Sequence, residues 1–173
     1  MGGGNPAIWP AAKPYPPSLA GAYGTNLKKA FLSLLQYMDW AFAHPDPSLV
    51  ANAVVPQANI YTEWVRVMEA LVKRGWHECP KPTDIEFLKV VKTATASHRF
   101  LDGTVDAVIN GARAPYLNAN DQVVAYQSGQ RPYAISVVLG RATATERFRI
   151  ARWYVLHPAG GLAAWERELR EAS

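Results

Sequence analysis

The chain has 173 residues, 49% of them hydrophobic and 18% charged, which suits one globular domain of roughly 100–150 residues plus a tail and excludes a disordered polymer. Its apolar runs, such as Ala53-Val54-Val55, fall far short of the roughly 20 residues that span a bilayer. One cysteine and four scattered histidines exclude a disulfide scaffold and a zinc site, so no cofactor is expected, and a net charge of +4 is too small to name a partner by itself.

Residues 1–26 hold Pro6, Pro10, Pro14, Pro16 and Pro17 among glycines, a density that supports neither a helix nor a sheet interior, so they form an extended arm. Trp9 and Tyr15 lie among those prolines as candidate binding residues, packing the arm on its own domain or on a partner. Met1 is followed by glycines and prolines in place of a basic segment and an apolar core. The expected location is therefore cytoplasmic, or extracytoplasmic if an anchor or signal has been removed.

Thr25 or Asn26 can cap a helix over Leu27 to Ala43, where Leu27, Ala30, Phe31, Leu34, Leu35, Met38, Ala41 and Phe42 recur at helical spacing. His44-Pro45 ends it, and Asp46-Pro47 offers a cap and first position for a short turn over Ser48–Val54. A second helix is expected from Gln57 to Arg74, with Gly75 as its stop.

Beyond Pro82 the period shortens, predicting strands over Ile85–Thr93, Gly103–Asn110, Pro132–Arg141 and Glu146–Leu156, with Arg141–Glu146 as a hairpin tip. Leu117–Gln130 reads as turn-rich, with a short strand at Val123–Tyr126. Gly160-Gly161 precedes a terminal helix over Leu162–Glu171. The division expected is an arm (1–26), a domain (27–157) and a helical extension (158–173).

Helices followed by consecutive strands indicate an α+β fold, N-terminal helices packing on a curved, mainly antiparallel sheet, and argue against a doubly wound parallel fold. From Tyr37-Met38-Asp39-Trp40-Ala41-Phe42-Ala43-His44-Pro45-Asp46-Pro47 through Lys73-Arg74-Gly75-Trp76-His77, the chain resembles the NTF2-like, cystatin-like cone superfamily. The resemblance covers about residues 26–157 and rests on element order and a loose helix motif. It is closest to small envelope-associated or secreted domains, and more distantly similar to soluble scaffold domains of type IV secretion and conjugation machines. It implies a non-enzymatic interaction or assembly module, self-associating as a homodimer or engaging a protein partner through the open sheet face and the arm. The alternative it implies is a small-molecule-binding or isomerase/cyclase-type enzyme that takes a small apolar ligand into the cone.

Members that are enzymes use a carboxylate or His–Asp pair with a Tyr or acid as oxyanion donor. Such a base must be tuned by burial and come within about 3 Å of the substrate. Asp39 and Tyr37 are the residues to test, with Asp106, His77 and His98 as further acids or bases and Tyr126 or Tyr154 as further donors. None forms a diagnostic spacing. Asp106 alternates with Val105 and Ala107, so it is expected to face solvent.

Seven arginines fall between Arg99 and Arg152 against four acidic residues. The densest stretch, Arg147-Phe148-Arg149-Ile150-Ala151-Arg152-Trp153-Tyr154, places Arg147, Arg149, Ala151 and Trp153 on one face of a regular strand and Phe148, Ile150, Arg152 and Tyr154 on the other. Arg147, Arg149, Arg152 and Trp153 are therefore candidate binding residues. A half-buried strand with a solvated arginine edge is favoured over nucleic-acid binding, which calls for a denser basic stripe with interleaved aromatics.

Overall fold

The computed structural model describes residues 13–80, 82–96, 99–109, 115–126 and 133–156; Trp9, His98 and the terminal helix expected over 162–171 lie outside them. Within these residues the fold is α+β, with helices leading and antiparallel strands following. None of the described helices is long and apolar enough to cross a membrane.

Helix α1 spans Leu27–Ala43. Asn26 starts it, its side-chain oxygen accepting from the Lys29 amide at 3.0 Å and satisfying one of the free donors of the first turn. His44 ends it ahead of Pro45. Asp46 opens the next turn, accepting from the Ser48 amide at 2.9 Å, and the short helix α2 follows at Val50–Ala53.

Helix α3 covers Tyr61–Arg74 and stops at Gly75, whose φ of +65° is the left-handed conformation that glycine adopts without strain. The helix begins four residues later than Gln57. Residues 55–61 turn tightly instead, Ala58 donating to the Val55 carbonyl and Tyr61 to that of Ala58. That detour lays Val54–Asn59 along a strand edge, a long-range contact that local periodicity does not encode.

Strands β2 (Ile85–Ala96), β3 (Arg99–Ile109), β6 (Tyr133–Gly140) and β7 (Arg149–Leu156) form an antiparallel sheet in the order β2-β3-β6-β7. A smaller antiparallel sheet joins β1 (Trp76–Glu78), β4 (Pro115–Asn118) and β5 (Val123–Tyr126) in the order β1-β4-β5. The sequence predicts no strand at β1 or β4, which run only three and four residues, while β5 stands at the expected Val123–Tyr126.

The core lies between α1 and the inner face of the larger sheet. Phe31, Leu34 and Met38 meet Val105, Ile135, Val137, Leu139, Phe148 and Ile150 there, all fully or almost fully buried. At the start of α1 the approach is so close that a Cβ on Gly103 of β3 would overlap Leu27 Cδ1.

The outer face departs from simple alternation. Lys89, Asp106, Ser136 and Tyr154 form one cross-strand row on it. Beside that row Val108 and Ala134 are buried in a second, smaller cluster with Phe87 and Leu156. Asp106 does not face solvent: it is 9% exposed, because its own side of the sheet carries an apolar cluster where alternation presumed water.

Candidate functional site

The β6–β7 hairpin builds a cleft of about 640 Å³ at one end of the larger sheet. Arg141, Arg147, Arg149 and Arg152 line it together with Asp102 and Glu146. Its remaining walls include Val55, Thr104, Val138 and Ala151.

A β-bulge collects these side chains on one side. Gly140 pairs with Arg149 and Leu139 with Ile150, but Val138 pairs with Arg152, so Ala151 is an extra residue in β7. An extra residue inverts the two-residue alternation. Phe148 and Ile150 are buried in the core, and after the bulge Trp153 packs on that same core side while Arg152 pairs with outer-face Val138. Arg149 and Arg152 therefore share the outer face, correcting the expectation that set Arg152 apart from Arg149 and placed Trp153 beside Arg147.

Each arginine is held differently. Arg147 donates through Nε and Nη2 to the Asn52 carbonyl at 3.2 and 2.9 Å. Arg149 donates through Nη1 to the Ala51 carbonyl at 3.2 Å. Both acceptors belong to the last turn of α2, where carbonyls lack helical partners and cations are favoured. Arg141 donates to the Gly24 carbonyl at 2.7 Å and lies 4.2 Å from the centre of the Phe148 ring. Burial pulls the Arg141 guanidinium below the usual arginine range, yet a guanidinium stays protonated in proteins. Arg152 is exposed and hydrogen-bonded to no described residue. Glu146 folds over the hairpin tip, its Oε2 accepting from the Ala142 amide at 3.3 Å.

The other candidate residues are occupied elsewhere. Asp39 accepts from the Thr83 amide at 2.8 Å and from the Thr83 hydroxyl at 2.6 Å, fixing the chain ahead of β2. Tyr37, buried on the same helix, accepts from Asn52 Nδ2 at 2.8 Å. The two side chains thus serve different elements. Tyr15 is 79% exposed, while its neighbour Lys13 accepts from Trp40 Nε1 at 2.8 Å, so residues 13–24 of the arm lie on their own domain.

His77 contacts two acceptors, the Glu78 carbonyl at 2.9 Å and Asp121 Oδ1 at 3.1 Å, and ties β1 to the β4–β5 turn. Trp153 meets Trp64 edge-on, with ring centres 5.3 Å apart. Tyr126 and Tyr154 are about half exposed. Asp106 accepts a hydrogen bond from Ser136, and among the described residues its Oδ1 has no partner.

Sequence reasoning passed over Arg141, Asp102 and Glu146. Arg141 was assigned only to a hairpin tip, yet pairing across that tip sets Gly140 opposite Arg149 and so brings Arg141 near the other arginines.

No protein-family model matches the chain, and no curated protein matches it. Solved structures that it resembles include the intermembrane space region of the chloroplast protein ARC6, with a TM-score of 0.50 and 13% sequence identity over 77% of this chain and 96% of that one. At that identity the likeness is one of fold.

Proposed function

We propose that this chain is a non-enzymatic interaction module of NTF2-like type, self-associating or engaging a protein partner in a cell-envelope or conjugative-transfer assembly. The observation that carries this reading is the gathering of four arginines in one cleft, three of them anchored by backbone carbonyls. A carbonyl positions a guanidinium without neutralising it, so the cleft keeps a positive field suited to recognition.

Two further features support the same reading. The space between α1 and the sheet is filled by side chains such as Phe31, Met38, Phe148 and Ile150, where an NTF2-like enzyme would hold its substrate. Asp39 and Tyr37, which the enzymatic alternative requires, make hydrogen bonds that join elements of the fold.

Light scattering over a concentration series, combined with capture of partners from the native cell extract, tests the proposal. Self-association, or a partner recovered in a fixed ratio, is expected. A chain that stays monomeric at high concentration and captures nothing overturns it.

A further inference from the structure

We infer that the arginine cleft receives a carboxylate-rich segment of a partner protein, an inference that rests on reading the chain as an interaction module. Four guanidinium groups share the cleft with two carboxylates, Asp102 and Glu146, so positive charge is in excess. Among the described residues no carboxylate forms an ion pair with Arg147, Arg149 or Arg152. The Asn52 and Ala51 carbonyls use only some of the N–H groups of Arg147 and Arg149, and each guanidinium carries five. What remains is a set of partly anchored forks, the geometry that meets a carboxylate through paired hydrogen bonds.

Several features favour the carboxylates of a protein over the phosphates of a nucleic acid. Asp102 and Glu146 would repel a continuous run of phosphates, whereas a peptide spaces its charges and can seat each one beside an arginine. Trp153 is packed against Trp64 and is therefore not available to stack a base. Val55, Val138 and Ala151 give the methylene stems of acidic side chains an apolar wall. The Val55 amide donates to the Ile150 carbonyl at 2.9 Å, so the β7 edge is already taken here and the partner is read through side chains, not as an added strand.

Fluorescence anisotropy with a short labelled peptide of alternating Glu and Ala tests the inference on the full chain. The Gln-Ala peptide and a single-stranded oligonucleotide serve as comparisons. The expected result is saturable binding of the Glu peptide, weakening as salt rises, with little binding of the Gln peptide. Arg152→Glu is expected to weaken it at least about tenfold, and Arg152→Gln by less. Arg152 is exposed and bonded to no described residue, so both variants should keep the parent's circular dichroism and melting temperature.

Equal affinity for the Gln peptide, tighter binding of the oligonucleotide, no saturable binding of the Glu peptide, or unchanged affinity in both Arg152 variants overturns the inference. Tighter oligonucleotide binding would point to Tyr154, exposed on the outer face near Arg152, as a stacking platform. Self-association or partner capture that survives Arg152→Glu removes the cleft from the module reading and leaves that reading in place.

Discussion

Asn59 pairs with both backbone groups of Trp153, its Nδ2 donating to the carbonyl at 2.7 Å and its Oδ1 accepting from the amide at 2.9 Å. One side-chain amide thereby stands in for a neighbouring strand on the outer edge of β7, next to the parallel bridge between Val54 and Ile150. Asn59→Ala is expected to cost about 1 kcal/mol, since water can replace part of each exposed bond. Urea unfolding should show a lower midpoint at unchanged slope, and hydrogen exchange should quicken at the Trp153 amide.

Gly103 of β3 lies directly against Leu27 of α1, and all three of the nearest atoms to a Cβ at position 103 belong to Leu27. Gly103→Ala should cost about 1–3 kcal/mol by overpacking, because Leu27 is 2% exposed and its methyls have little room to move. Leu27→Ala alone should cost about 2–5 kcal/mol through the cavity it leaves. The double variant should cost less than the sum, each change relieving the other; simple additivity in denaturation would refute the contact.

Asp106 makes stability depend on pH in a defined direction. Desolvation holds its carboxyl above the ordinary carboxylate range, while the Ser136 hydrogen bond and the Lys89 charge pull the other way. A carboxyl raised by folding favours the protonated form, so its contribution is fully present below the unfolded pKa of about 3.9 and is lost as pH rises through the folded value. Asp106→Asn removes that loss. The variant should gain on the parent between acid and neutral pH and then hold a constant advantage. Taking the difference between the two proteins cancels the opposite slope of Asp46, whose carboxyl Ser48 holds low. Melting temperatures over a pH series would show this, and a difference independent of pH would contradict it.

Asp39 joins α1 to the start of β2 through two bonds to Thr83. Asp39→Ala should cost about 1–3 kcal/mol by leaving the Thr83 amide and hydroxyl unpaired. Thr83→Ala, which removes only the hydroxyl, should cost less. An Asp39 variant with the parent's stability would argue against this structural role and return the residue to the catalytic reading.

The parts of the fold legible in sequence are those fixed by local chemistry. Asn26, His44-Pro45, Asp46-Pro47 and Gly75 mark helix ends through their own side chains or backbone preferences, and the structure uses each where expected. The long strands are legible because alternation or a nearly continuous apolar run persists over eight or more residues. The start of α3 was not, because Val55 and Asn59 are drawn to β7, and Ile150 and Trp153 lie more than ninety positions along the chain. The burial of Asp106 was equally hidden, since it depends on the apolar cluster around Val108 on a face that alternation assigns to water. Of the site, Arg147, Arg149 and Arg152 could be found by charge density, but their common side could not, because the pairing partner of Arg152 is set by β6 and not by β7.

The extra residue at Ala151 acts as a parity device. With the bulge, charges an odd number of positions apart reach the same side of the sheet; in an unbulged strand of the same sequence, Arg149 and Arg152 would divide between core and surface. Losing Ala151 would remove the bulge and leave Arg149 and Arg152 two positions apart, so regular alternation would keep both on the outer face opposite the same residues of β6. The cleft therefore depends on the match between the arginine spacing and the bulge. A relative with one residue fewer between Arg149 and Arg152 would reach the same surface without a bulge, whereas one that keeps the three-residue spacing in a regular strand would not.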